Sequence, residues 1–237
     1  MRAIFKAAAA GLVGLGFIAA GHVVLAQDAK KAQPAPPNPV GAGSQPWAGT
    51  VTSEQSVDEK QLAAVKKVSA YFNELANLKG LFLQTDPDKT QMKGRFYVKR
   101  PGRFRFDYGA PSKKVIISDG RWLAIQDFDL KNEDIYELDS TPFRLIMRED
   151  VDLLRDARII DAQESDDLII VKLQDKNPDT PGQIALYLTK KPGLDLKEWV
   201  TTDAQGLDTR VEISGLAKED LDPNLFKREN LSLKKVQ

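Results

Sequence analysis

Between Gln91 and Tyr108 apolar and polar positions alternate, with a break at Pro101-Gly102. Period two marks a strand with one covered face, so this stretch predicts a hairpin whose arms meet at that turn. In the first arm Phe96, Val98 and Arg100 share one face while Arg95, Tyr97 and Lys99 take the other. In the second, Phe104, Phe106 and Tyr108 alternate with Arg103, Arg105 and Asp107. The hairpin therefore presents one ring-lined face, and parity puts the cation of Arg100 on it. Buried there, a guanidinium needs carbonyl or carboxylate partners. A strand-end arginine reaching past the turn into water satisfies the same parity, and the pattern alone leaves both readings open.

Upstream the period changes. Leu62, Val65, Val68, Phe72 and Leu75 recur at helical spacing, with Ser56 and Glu59 as a capping box and Lys79-Gly80 as the stop. A helix with one apolar stripe must lay it on something, here a sheet or the mouth of one. After Gly80 turn dipeptides such as Asp119-Gly120, Pro181-Gly182 and Pro192-Gly193 separate short strands. These are expected near 81–86, 91–100, 103–109, 113–118, 121–127, 133–138, 157–164, 167–174, 183–189, 196–202 and 207–214. Ile184, Leu186 and Leu188 continue the inward pattern, as do Thr209, Val211 and Ile213. Leu168 to Leu173 is almost continuously apolar and is expected to be covered on both faces. Strands so closely spaced favour an antiparallel meander curling into a barrel or half-barrel. One insert interrupts it. Thr141-Pro142 should open a short helix carrying Phe143, Leu145, Ile146 and Met147, with a second helical turn around Val151 to Arg155. Such an insert either covers a core or forms a movable lid.

Composition narrows the function. The chain has 237 residues, 42% of them hydrophobic, which suits one moderate domain with extensions. Its 34 basic residues balance 34 acidic ones, which argues against nucleic acid as a partner. Residues 1–26 read as an export signal, with Arg2 and Lys6 before the apolar run Ala7 to Leu25 and cleavage expected after Ala26; the competing reading is an uncleaved anchor. Residues 27–53 are rich in proline, alanine and glycine and are expected to form a disordered leader, with Trp47 its one large apolar side chain. Residues 54–237 form the remaining, globular domain.

Cysteine is absent, and the one histidine, His22, lies in the export signal. Once the signal is removed, neither Ser-His-Asp nor Cys-His catalysis nor a zinc site with nitrogen or sulfur ligands is available. Asp127 with Asp129, or Asp166 with Asp167, could bind calcium or act as paired acids, but without a glycine-bearing ligand loop such pairs are read as solvated turns. No catalytic residue, metal or cofactor is expected. What remains is binding within the ring-lined concavity.

The run GRFYVKRPGRFRFDYGAPSKKVIISDG, Gly94 to Gly120, followed by TPFRLIMRED and later by LDPNLFK, resembles the outer-membrane lipoprotein carrier family, LolA, from about Val57 onward. The resemblance implies a mainly β protein with some α: an incomplete antiparallel β-barrel, or half-barrel, with a helical lid. It implies a periplasmic monomer that shuttles acylated lipoprotein cargo from an inner-membrane lipoprotein-releasing ABC transporter to an outer-membrane lipoprotein acceptor. By the same resemblance Arg100 is the latch that bonds lid backbone. Phe96, Val98, Phe104, Phe106, Tyr108, Phe143, Leu145, Ile146 and Met147 are expected to line the cavity or meet partners. The chain departs from the family pattern at Phe106, where tryptophan is common, and at Ala124-Ile125-Gln126, where aromatics are frequent. Two rivals share the architecture: a carrier of another lipid or glycolipid, and a lipid-sensing regulatory half-barrel.

Overall fold

The computed structural model describes residues 58–229 and 231; the expected export signal and leader, with Trp47, and Ser56 of the expected capping box lie outside the described residues. Helix α1, Glu59–Glu74, starts two residues later than its sequence signal implies. Asp58 caps it by accepting from the Gln61 amide, and the Gln61 side chain accepts from the Asp58 amide, so Asp58 and Gln61 form a capping box. The helix also stops sooner. Leu75 is its C-cap in extended backbone, and strand β1, Asn77–Thr85, begins before Gly80. Leu75 and Leu78 sit on the same side of the core although one ends the helix and the other opens the strand. Apolar spacing alone could not separate them.

Ten further strands follow: β2 Gln91–Lys99, β3 Arg103–Tyr108, β4 Lys114–Asp119, β5 Trp122–Asp127, β6 Asn132–Glu137, β7 Ala157–Glu164, β8 Leu168–Asp175, β9 Gln183–Thr189, β10 Asp195–Thr202 and β11 Asp208–Ala217. They make a single sheet in the order β6-β5-β4-β3-β2-β1-β11-β10-β9-β8-β7, with antiparallel pairing throughout. The sheet is not closed: β6 and β7 are its two edges. Each half is a meander, so one connection, that from β6 to β7, must travel from edge to edge. The apolar insert is that connection.

The insert holds a 3-10 turn, Leu138–Ser140, and two single-turn helices, α2 at Arg144–Met147 and α3 at Leu153–Asp156. Thr141 does not cap α2. Its hydroxyl donates back to the Leu138 carbonyl at 2.8 Å, so it closes the preceding turn. The true cap in this region is Asp152, which accepts from the amides of Leu154 and Arg155 at the start of α3. Helix α1 packs on β7, β8 and α3, burying Ala64, Val65, Val68, Tyr71 and Phe72. The Tyr71 hydroxyl accepts from the Leu196 amide at 3.1 Å, which fixes the helix to β10.

Leu168 to Leu173 corrects an expectation. Ile169, Val171 and Leu173 are buried, but Leu168, Ile170 and Lys172 alternate with them as half-buried residues, so one face of β8 is covered and the other only partly. A two-sided run was expected because β-branched residues occupy both parities, whereas only one parity meets the core. Elsewhere the inward alternation holds: Ile184, Leu186 and Leu188 in β9 and Val211 in β11 are almost completely buried. Among the described residues no group of acidic or histidine side chains could hold a metal ion. Asp127 caps its own turn through the amides of Asp129 and Leu130, and Asp167 pairs with Lys191.

Candidate functional site

The β2–β3 hairpin builds the site. Registered antiparallel pairing sets Phe96 opposite Phe106 and Val98 opposite Phe104, so their side chains share the inner face. The Phe96 and Phe106 rings stack at 5.8 Å, and Phe104 meets Phe106 edge-on at 6.0 Å. From the lid Phe143 closes on Phe104 at 5.8 Å, and Trp199 of β10 meets both Phe143 and Phe106 edge-on. With Phe72, Leu75 and Leu78 behind and Ile146 and Met147 above, these rings enclose a cavity of about 50 Å³. Pockets that take a drug-sized ligand measure roughly 300–1,000 Å³. No acyl chain enters this one unless the lid moves.

Arg100 is the one charged residue among those lining the cavity. Its amide donates to the Ala76 carbonyl at 2.8 Å, continuing the pairing of β2 past its last residue. Its guanidinium donates from Nη1 to the Leu75 carbonyl at 3.4 Å and from Nη2 to the Arg148 carbonyl. Nε is buried without a partner. Desolvation lowers the Arg100 pKa from its ordinary value, as burial of a cation against apolar walls requires. A second tie is pure backbone: the Gly102 amide donates to the Met147 carbonyl at 2.9 Å. Gly102 sits at φ +70°, and a Cβ there would meet the Gly120 backbone at 2.7 Å, so this approach depends on glycine. The carbonyls ending α2, which lack partners within the helix, are thus taken up by the β2–β3 turn.

On the opposite side of the lid the Arg144 guanidinium makes a two-point ion pair with the Asp175 carboxylate at the end of β8. That partner raises the Arg144 pKa. Asn73 of α1 donates to the Val151 carbonyl at 2.9 Å and accepts from the Val151 amide at 2.8 Å.

Of the residues singled out from sequence, Phe96, Val98, Arg100, Phe104, Phe106, Phe143, Ile146 and Met147 come together around the cavity. Tyr108 and Leu145 do not line it. Tyr108 lies one inward position further along β3, where its hydroxyl donates to Gln84 at 2.5 Å and Gln84 donates to Asp86. This buried polar chain forms the other limit of the ring cluster. Leu145 is buried in the general core. A second, open groove of about 720 Å³ mixes Lys93, Arg95, Asp107, Lys197 and Glu212 with Leu81, Phe82 and Ile213, so it carries several charged groups where the covered cavity has one.

The model of the family "Outer membrane lipoprotein carrier protein LolA" matches residues 73–229, about two thirds of the chain. This chain belongs to the LolA family. The match begins at the end of α1, so it is narrower than a likeness running from Val57. An outer-membrane lipoprotein carrier protein of Pseudomonas entomophila is 28% identical over 183 residues, 72% of this chain and 84% of that protein. Another, from Chromobacterium violaceum, is 29% identical over 161 residues, covering 65% and 77%. With the carrier protein of Alkalilimnicola ehrlichii identity is 33% over 76 residues, and the match spans only 36% of that protein. Among solved structures, a LolA superfamily protein from Nitrosomonas europaea is 12% identical, with 69% of this chain and 97% of that one covered and a TM-score of 0.40.

For this LolA family member sequence reading did not assign Phe72, Leu75, Leu78, Leu196, Trp199 or Ile213 to the cavity, and Trp199 is the one aromatic ring of these outside α1. Leu196 and Trp199 are three apart, and strict alternation puts them on opposite faces. A register shift between Leu196 and Glu198 inserts one residue into β10 and turns both inward. A tryptophan within an otherwise regular strand was the signal available, but the bulge reverses its parity.

Proposed function

We propose that this protein is a periplasmic carrier that takes the acyl chains of lipoproteins into the cavity beneath its lid and moves them from the inner to the outer membrane. The observation that carries the reading is a ring-lined cavity too small for any acyl chain, covered by a segment that only two hydrogen bonds, Gly102 to Met147 and Arg100 to Arg148, hold to the β2–β3 turn. Exposing three acyl chains to water costs on the order of 30 kcal/mol at about 0.8 per methylene, so a carrier must replace the membrane with apolar surface of its own. An empty apolar cavity is itself a liability, which the closed lid removes. Cargo and lid compete for the same rings, and reclosing favours delivery.

In this reading Arg100 is the latch and Phe104 and Phe106 are cargo-contacting surface. The rest follows from the role: an inner-membrane ABC transporter as donor, an outer-membrane acceptor, export through the N-terminal signal, and binding without catalysis. A carrier of a different lipid would share the cavity. Mass spectrometry of what the purified protein extracts from membranes separates the two. Acylated peptide is expected. Free lipid alone would transfer the assignment to a general lipid carrier, and extraction of nothing would contradict both.

A further inference from the structure

Between Arg144 and Leu153 the lid is tied to the rest of the molecule at its two ends and at its middle, and the ties differ in what breaking them leaves behind. At one end Arg144 forks onto both carboxylate oxygens of Asp175, with side-chain exposures of 14% and 1%. Moving Arg144 away would leave an almost wholly buried carboxylate without its counter-charge, with the Asn177 amide still donating to it. At the other end Asn73 satisfies both backbone groups of Val151, and Ser69 accepts from the Leu153 amide at 3.2 Å. Between these ends lie the ties of Met147 to Gly102 and of Arg148 to Arg100. Releasing them strands nothing comparable. The Arg100 Nε is already buried without a partner, and opening would let water reach it.

We propose that the lid is a strap pinned at both ends, Arg144 on Asp175 and Val151 on Asn73, so that cargo lifts only residues 145–150. The proposal rests on the carrier reading and adds to it a positioning role for Arg144. A strap held at both ends stays close to its seat while cargo occupies the cavity, so reclosing is an intramolecular event at high effective concentration. Arg144 therefore acts on release and has little part in loading. It touches no cargo.

The chain lacks cysteine, so engineered pairs can be tethered without background. Arg144→Cys with Asp175→Cys, joined by a short bismaleimide, fixes the pin covalently. Arg103→Cys with Arg148→Cys, neighbours of the Gly102–Met147 bond, fixes the latch side. The probe is a synthetic triacylated lipopeptide. The pin-tethered protein is expected to load and release it within about twofold of wild type, whereas the latch-tethered protein does not load. In the untethered Arg144→Met variant loading is retained and release slows by about fivefold or more, a coupling of ordinary size, with Arg144→Lys intermediate. The melting temperature falls in either case, because Asp175 loses its counter-charge, but a purely structural residue would change both steps together. Failure of the pin-tethered protein alone to load would overturn the pinned strap and leave the carrier reading standing. Failure of wild type to load would remove the carrier reading and the strap with it.

Discussion

Gly102 donates its amide to the carbonyl of Met147 at 2.9 Å, so the lid is held by backbone as well as by the Arg100 side chain. Removing the guanidinium therefore weakens closure without abolishing it. Hydrogen bonds to a charged group contribute about 1.5–3 kcal/mol, so Arg100→Ala should shift the lid equilibrium toward open by about that amount or less. Binding of an environment-sensitive dye to the exposed rings should rise, lipopeptide loading should persist, and release should slow. Loading and release both at wild-type rates would mean that Arg100 is not the latch.

Phe104 stands where the lid ring of Phe143 meets the sheet, 5.8 Å away, and is almost fully buried. Phe104→Glu puts a carboxylate against apolar walls, where desolvation raises its pKa. Lipopeptide loading should be lost at pH 8 and partly recovered in mildly acid buffer, where the new side chain is neutral, with circular dichroism unchanged. Loading equal to wild type at pH 8 would remove Phe104 from the site.

Trp199 offers an internal reporter. The chain has three tryptophans, and Trp47→Phe with Trp122→Phe leaves Trp199 alone against Phe143 and Phe106. Its emission should shift to the red when Arg100→Ala is added, because Ile146 and Met147 lift from the cavity that Trp199 also lines and water enters. An unchanged spectrum would place Trp199 outside the moving contact. Truncation to alanine should cost about 3–5 kcal/mol, the usual penalty for deleting a buried ring.

The hairpin was readable from sequence because its parity runs unbroken from Phe96 to Phe106 and nothing in β2 or β3 shifts the register. Trp199 was hidden for the opposite reason, a one-residue bulge that no local composition announces. The start of α1 lies two residues beyond the signal at Ser56 and Glu59 because Asp58 and Gln61 offer an overlapping capping box, and the helix begins from it. Arg144 and Asp175 are 31 residues apart and lie on different elements, so their pairing is a product of the edge-to-edge crossing alone.

Asp86 predicts a pH effect on stability. Burial raises its pKa above the ordinary carboxylate value, with the Gln84 hydrogen bond opposing. The folded state therefore holds this proton more tightly than the unfolded chain, and the associated stability is present at low pH and lost as pH rises through the folded pKa. Asp86→Asn keeps an acceptor for Gln84 and removes the charge. It should raise the melting temperature at neutral pH, and the gain should vanish toward the acid end, where wild-type Asp86 is protonated in both states. Equal gain at all pH values would assign the effect to something other than this ionisation.

Native mass spectrometry of the protein without residues 1–26, mixed with a triacylated lipopeptide and with the same peptide lacking its acyl chains, tests the carrier claim most directly. A one-to-one complex with the acylated form and none with the bare peptide is the predicted result. Equal binding of the two forms, or no complex with the acylated one, would contradict it.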